Sequence, residues 1–341
     1  MLHRLPVSTD PPINAPAVSV VIINWNGKEY LARCLASLAA QTYRDFEIII
    51  VDNGSTDGSG AFIRERFPEV RLICNEHNLG FARANNQGIA IARGRYVAIL
   101  NNDTQVEPQW LEALVHAAET HPEIGAFASL VLFNDKRDTV DSAGLTVSVL
   151  GHGIQNLLGE GIEQVSGARE VFGASATAAL FRRELLQDIG LFDEDYFAYY
   201  EDVDLAWRAR LRGWRALLVP EALVYHAHSA TAGRGSPLKK RLLTRNRLWT
   251  IAKDYHFPAI VFFLPLIIAF ELGFVVLSLI RGDVAALTGL WQGVTGLPGA
   301  LRKRTAIQSS RTASFRELAP LMRWFNAPFS TRRLRRDLGR L

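Results

Sequence analysis

Only two cysteines, Cys34 and Cys74, occur in 341 residues. That is too few for a disulfide framework and fits a reducing compartment. Cys34 falls among Leu31, Leu35 and Leu38 at helical spacing and reads as a packed core residue. No G-x-G-x-x-G follows the first apolar run and no Walker A lysine motif occurs, which counts against a dinucleotide dehydrogenase and a P-loop NTPase. Internal repeats and low-complexity tracts are also missing, which argues against a solenoid or a disordered array. The stretch Met1–Ala17 holds several prolines but no apolar core, so it does not read as a signal peptide, and the bulk of the chain is expected in the cytoplasm.

The length and a hydrophobic content of 48% allow one large domain, or one domain with an appendage. The formal net charge of +4 hides an asymmetry. Residues 302–341 carry eleven Arg and Lys against two acids, about +9, which leaves the first 301 residues at about −5. A basic tail on a mildly acidic body points to an anionic surface.

Four apolar runs, Val18–Asn24, Glu47–Asp52, Arg71–Cys74 and Tyr96–Asn101, read as strands. Three are nearly continuous, as parallel strands covered on both faces should be. Helical patterns over Lys28–Ala40, Gly58–Phe67, Phe81–Ala92 and Pro108–Glu119 alternate with them, which predicts a parallel α/β sheet. The pattern weakens from about Phe127 to Val171. A further helix is expected over Glu201–Arg212, ending at Gly213, and a strand over Leu217–Tyr225. The segment Phe257–Ile280 carries one charge, Glu271, in 24 residues, long enough to span a bilayer. Basic residues lie on both sides of it. A single span would place one basic flank outside, against the positive-inside tendency, so a re-entrant hairpin or an interfacial helix pair on an anionic leaflet is the preferred reading. The expected divisions are an N-terminal extension 1–16, a catalytic domain 17–250, membrane-associated helices 251–301 and a basic tail 302–341.

In open α/β sheets ligands sit at the carboxyl ends of the strands. Those ends read Asn24-Trp25-Asn26-Gly27, Asp52-Asn53-Gly54-Ser55 and Asn101-Asn102-Asp103. Asp52 can accept hydrogen bonds from a base or ribose, or make an Asx-turn. Without a P-loop, a bound diphosphate needs another countercharge. Mg²⁺ or Mn²⁺ would supply it, with Asp103 as the natural carboxylate ligand. Glu201-Asp202-Val203-Asp204 opens a helix after Tyr196-Phe197-Ala198-Tyr199-Tyr200. Acids there suit the helix dipole, and Asp204 is placed to pair with Arg208. Three acids exceed what a cap needs, and the aromatics suit the face of a sugar. His226 and His228 end the last predicted strand and read either as structural histidines or as ligands.

The segments VSVVIINWNG, VDNGSTDGS, NLGFARANNQGI, LNNDT, FGASATAALFRRE, GLFDEDYFAYYEDVDLAWRARLRGW and VYHAHS, in this order, resemble the family 2 inverting glycosyltransferases, in their rhamnosyltransferase-like and galactofuranosyltransferase-like branch. The resemblance spans about Val18 to Ser229. It implies a GT-A, Rossmann-like nucleotide-diphospho-sugar transferase domain with a C-terminal helical, membrane-associated segment. By resemblance, Asn24, Asp52, Asn78, Gly80, Asn86, Asn101 and Asn102 bind the donor, Asp103 and His226 hold a divalent metal, and Asp202 is the catalytic base. Glu201 and Gly173 support the acceptor side. Many relatives have Asp-x-Asp where this chain has Asn101-Asn102-Asp103, which leaves one carboxylate for the metal. The activity implied is inverting transfer from a nucleotide-diphosphate sugar to an acceptor hydroxyl, of rhamnosyl type, on a cell-surface polysaccharide or lipid-linked glycan at the cytoplasmic face of the membrane. The alternative is a non-catalytic membrane-bound nucleotide-sugar or glycan-binding module. The acidic pair and following histidine favour the enzyme. The arginine-rich tail carries no nucleic-acid-binding motif and follows an apolar segment, so lipid, not nucleic acid, is its expected partner.

Overall fold

The computed structural model describes residues 15–228 and 236–324. It opens with β1 (Val18–Asn24), α1 (Lys28–Ala39), β2 (Phe46–Asp52), α2 (Ser59–Arg66), β3 (Arg71–Cys74), α3 (Phe81–Ile91) and β4 (Tyr96–Asn101). These match the four predicted strands and three helices to within a residue or so. The strands pair in parallel in the order β3-β2-β1-β4. Side chains alternate between the two faces of the sheet. Val20 and Ile22 of β1 therefore meet Leu31 and Leu35 of α1, while Val21 joins Ile89 of α3 in a second core on the opposite face.

Next come β5 (Thr104–Val106), α4 (Trp110–Thr120), β6 (Ile124–Phe133), β7 (Val140–Ala143), β8 (Leu145–Ser148), β9 (Gly153–Gln155), β10 (Arg169–Val171), β11 (Ala178–Arg182), α5 (Arg183–Ile189), α6 (Glu201–Leu211) and β12 (Arg215–His226). Helix α4 starts two residues later than the sequence suggested. Pro108 lies in the preceding turn, where its carbonyl accepts from the Thr42 amide at 2.8 Å. The region with the weak pattern holds five strands, β6 to β10. They resist reading because β6 and β7 are buried along almost their whole length and show no polar alternation. The sheet is mixed: β11 runs antiparallel between β4 and β6, and β12 lies parallel to β6.

The chain continues through α7 (Pro237–Asp254), α8 (Phe257–Ile280), α9 (Val284–Ser309), α10 (Phe315–Leu318) and β13 (Met322–Arg323). Two expected boundaries fall inside helices. The division at 250 cuts α7 and the one at 301 cuts α9, because both helices pack on the catalytic domain. Trp207 of α6 meets Phe172 edge-to-face at 4.9 Å and Tyr255, just past α7, in a tilted contact at 4.5 Å. Trp249 of α7 donates to the carbonyl of Gly293 in α9 at 3.0 Å. A third core joins β8, α6, α7, α8 and α9.

Helix α8 is continuous across Pro265, so a re-entrant hairpin within Phe257–Ile280 is excluded. Among the described residues it is the one helix long and apolar enough to cross a bilayer, and only 11% of its most apolar stretch is buried. Glu271 does not interrupt an apolar surface, because it turns inward to an ion pair with Arg247 of α7. Of the basic tail, Lys303 and Arg304 belong to α9, where Arg304 donates to the carbonyls of Ala252 and Tyr255. The arginines from Arg332 onward and the 1–14 part of the N-terminal extension lie outside the described residues.

Candidate active site

The parallel register aligns the strand ends. Asn24 pairs with Asp52, and Ile23 with Asn101. Asn24 is fully buried; its amide donates to Asp52 Oδ1 at 3.1 Å and Ser55 Oγ at 3.2 Å, and its carbonyl accepts from Asn102 Nδ2 at 2.7 Å. Three strand ends are thus joined by side chains, a polar floor at the crevice predicted from topology. Beside it stands Asn53, a residue the sequence reading passed over. Its amide donates to Asn78 Oδ1 at 2.9 Å and the Gly80 carbonyl at 3.2 Å, and its Oδ1 accepts from Asn75 and from the Leu79 amide. The Asn78–Gly80 turn is therefore organised by Asn53. Gly80 has φ +87°, and a Cβ there would lie 2.5 Å from the Phe197 ring, so only glycine fits.

At the other side of the crevice β5 pairs with β12, with His226 opposite Thr104. That register brings His226 to Asp103 across more than 120 residues of chain: Nε2 lies 3.2 Å from Asp103 Oδ1. The ring's Nδ1 lies 2.8 Å from Asp141 Oδ2, and Asp141 Oδ1 is 2.9 Å from His228 Nε2. Burial disfavours charge on His226, but hydrogen bonds to the two carboxylates outweigh it and raise its pKa to about 9. Asp141 is held at about 2 by His226 and His228 against the cost of burial. Asp141 was not anticipated. It lies in β7, within the stretch whose pattern was weakest, and nothing local marks it.

This donor set suits a hard divalent cation, with carboxylate oxygen and imidazole nitrogen converging. Asp103 and the facing His226 Nε2 would be the ligands. Asp141 on Nδ1 would fix the ring's orientation and raise its basicity, as carboxylates behind metal-bound histidines do. Asp141, His226 and His228 also form a compact group of ligand atoms in their own right, all within 4.8 Å of one another.

The acidic run begins α6 as expected. The turn before it is strained: Phe197, Tyr199 and Tyr200 have φ of 65°, 66° and 73°. The Ala198 amide donates to the Tyr196 carbonyl at 2.7 Å, closing a γ-turn on Phe197. Each such residue costs on the order of 1–3 kcal/mol, and such strain clusters at functional sites. The turn leaves Glu201 buried, with Oε2 unpartnered among the described residues, and Asp202 half-buried. Burial pushes the Glu201 carboxyl well above the usual range, and the charge of Asp202 adds to the effect. Burial also raises Asp202, offset in part by the Ala176 and Val203 amides, which donate to it at 3.3 and 2.8 Å. Of this coupled pair Glu201 is raised further, so it is the more readily protonated partner and Asp202 the more readily charged one. The Ala176–Thr177 segment that touches Asp202 also accepts from the Asn101 amide at 2.9 Å. This connects the acidic pair to the strand end bearing Asp103. Asn101 Oδ1 is buried there without a hydrogen-bond partner among the described residues.

Two residues make contacts other than those the resemblance implied, and a third does what its spacing suggested. Asn86 spends its amide on the Phe192 carbonyl (2.8 Å) and Glu194, and its Oδ1 on the Phe192 amide. It ties α3 to the segment leading into the acidic run, with its amide group engaged and one bond accepted at Oδ1. Gly173 is a packing glycine, since a Cβ there would meet Ala206 of α6 at 2.3 Å. Asp204 is fully buried and paired with Arg208 at 2.8 Å, as its spacing suggested, and also with Lys253 of α7.

A mixed sheet whose parallel strands end in polar residues, an Asp–His pair at its rim and an acidic helix start beside it define a GT-A sugar-transferase architecture. Residues 19–190 match the description Glycosyl transferase family 2, and the chain belongs to that family of inverting, nucleotide-sugar-dependent enzymes. An N-acetylglucosaminyl-diphospho-decaprenol L-rhamnosyltransferase of Mycobacterium tuberculosis is 33% identical over 240 residues, covering 63% of this chain and 77% of that protein. The fold is shared with the mannosyltransferase PcManGT from Pyrobaculum calidifontis, solved with GDP-Man and Mn²⁺. The TM-score is 0.52 at 19% identity, over 96% of this chain and 81% of that one. GalNAc-T7, solved with UDP, GalNAc and Mn²⁺, superposes with a TM-score of 0.57 at 18% identity, over 70% of this chain and 48% of its own.

Proposed function

We propose that this glycosyltransferase moves a deoxyhexose of rhamnosyl type from a nucleoside-diphosphate donor to a hydroxyl of a lipid-linked glycan, at the cytoplasmic face of a membrane. The observation that carries this reading is the convergence of Asn24–Asp52, Asp103–His226 and Asp202 on one end of the sheet. The acceptor class follows the similarity to the decaprenyl-linked rhamnosyltransferase. The membrane face follows α8, which exposes Phe262, Leu272 and Ile280 in a way a water-facing helix does not. Lys239, Lys240 and Arg281 near it suit an anionic leaflet.

In this mechanism Asp52 accepts from the nucleoside while Asn24 and Asn102 hold it in place. A divalent cation on Asp103 and His226 would offset the charge that develops on the leaving diphosphate. The acceptor hydroxyl is a poor nucleophile at neutral pH. Asp202 takes its proton as the oxygen attacks the anomeric carbon from the face opposite the nucleotide. Glu201 stays protonated behind it and keeps the negative charge on Asp202. One displacement inverts the centre, so no enzymatic nucleophile is required.

The test is a donor screen by thermal shift, with UDP-, GDP- and dTDP-sugars and Mg²⁺ or Mn²⁺. A bound donor at a hundredfold excess over its Kd stabilises by about 2.7 kcal/mol. A rhamnosyl donor should give the largest shift, and transfer to a polyprenyl-diphosphate glycan should follow. No shift with any donor and metal would refute the reading.

A further inference from the structure

The strained turn that presents Glu201 and Asp202 is held from behind by a helix that lies beyond the matched family segment. Asn246 of α7 is fully buried. Its Nδ2 donates to the carbonyls of Tyr196, Ala198 and Tyr199 at 3.1, 2.9 and 2.6 Å. One carboxamide thus gathers three carbonyls of the turn in which Phe197, Tyr199 and Tyr200 have positive φ. Two neighbours on α7 add to the hold. Arg245 Nη2 donates to the carbonyls of Asp195 and Tyr196 at 3.0 and 2.8 Å, and Thr250 Oγ1 lies 2.9 Å from Tyr196 Oη.

We infer that Asn246 is a positioning residue for sugar transfer: it locks the 196–200 turn in its strained form and so sets where Asp202 meets the acceptor hydroxyl. Non-glycine residues leave the left-handed region unless their surroundings over-determine it, and Asn246 supplies three of the ties that do so for this turn. Its outer side meets the donor-side segment, where the Phe197 carbonyl accepts from the Ala82 amide at 3.2 Å and the Phe197 ring stands over Gly80. A relaxed turn therefore displaces the acid that follows it, while its Phe197 end stays tied to the donor-side segment. Helix α7 is itself clamped: Lys253 and, from α9, Lys303 both pair with Asp193, just ahead of the turn. The C-terminal helices are in this way part of the catalytic apparatus, not a detachable anchor. The inference rests on the assignment of Asp202 as the base.

The full-length protein carrying Asn246→Ala is compared with wild type for kcat, donor KM, nucleotide-induced thermal shift and the ¹⁹F spectrum after 3-fluorotyrosine labelling. Tyr199→Phe and Tyr200→Phe assign the two turn resonances. The expected result is a kcat lowered about 10–100-fold, the scale of a small misplacement of a reacting group. Donor KM and nucleotide shift stay near wild type, and the two turn resonances move. A kcat within about twofold of wild type with unmoved resonances overturns the inference. So does a loss of nucleotide binding in proportion to kcat, which marks a merely structural role. If Asn246→Ala does not fold, Arg245→Ala and Thr250→Val each remove one weaker tie, and wild-type kcat in both overturns it. If wild type itself transfers no sugar, the proposed function fails, and the turn resonances alone then decide whether Asn246 holds the turn.

Discussion

Asp202→Asn separates the proposed chemistry from the scaffold. The substitution is isosteric. Its remaining oxygen can still accept from the Val203 amide, now 2.8 Å from Oδ1, while the longer 3.3 Å bond from Ala176 is lost. One weak hydrogen bond contributes about 0.5–1.5 kcal/mol. Against that stands an electrostatic gain. Burial raises the pKa of Asp202, and both burial and the Asp202 charge raise that of Glu201. A carboxyl whose folded pKa lies above its unfolded value stabilises the fold only while protonated, and that contribution is lost as pH rises through the folded value. At neutral pH the Asp202 charge is therefore a burden, and the asparagine variant should melt at or above the wild-type temperature. The rate should behave oppositely. Loss of a general base costs about 10²–10⁴-fold, equivalent to about 3–5 kcal/mol of transition-state stabilisation. The assay is nucleotide release coupled to product formation, with donor affinity read by thermal shift on the same sample. A variant that keeps more than about a tenth of the wild-type rate, with unchanged donor binding, would refute the assignment of Asp202 as base.

Asp141→Asn should lower metal affinity by about 10–100-fold, the usual cost of removing the carboxylate behind a ligating histidine; titration of activity with Mn²⁺ checks this, and an unchanged titration midpoint removes Asp141 from the site. Acid should weaken the union of α7 and α9 with the domain through Asp193, whose pKa burial would raise but Lys253 and Lys303 depress well below the carboxylate range. Its contribution is complete above the unfolded value of about 3.9 and is lost as pH falls below that toward the folded value. Asp193→Asn should accordingly cost about 1–3 kcal/mol at pH 7, since buried Lys253 keeps Asp204 but loses one of its two carboxylates, and should flatten the acid limb of the melting curve; parallel wild-type and variant curves would contradict this. Replacing Phe262, Leu272 and Ile280 together with glutamate should abolish flotation with anionic vesicles while the donor-induced thermal shift persists. Undiminished flotation would place the membrane contact elsewhere.

The order of elements through β4 was legible in the amino-acid sequence because parallel strands covered on both faces advertise themselves as unbroken apolar runs. The strand ends where Asn24, Asp52 and Asp103 sit followed from the same pattern. So did the start of α6 at Glu201 and the ion pair of Asp204 with Arg208, which depend on chemistry within one helical turn. Long-range register was not legible. Asp141 reaches His226 because β6 pairs with both β7 and β12, and strand pairing leaves no local signature in a stretch buried along nearly its whole length. The division of labour between Glu201 and Asp202 came from the family resemblance alone, since the residues by themselves do not show which carboxyl the packing buries. The strain before the acidic run and its restraint by Asn246 arise from a helix about fifty residues downstream. Local sequence thus marked Asp52, Asp103, Asp202 and His226 as candidates for the chemistry. Only the tertiary structure decided how they are charged, aimed and held, because burial, register and packing against α7 to α9 are properties of the whole fold.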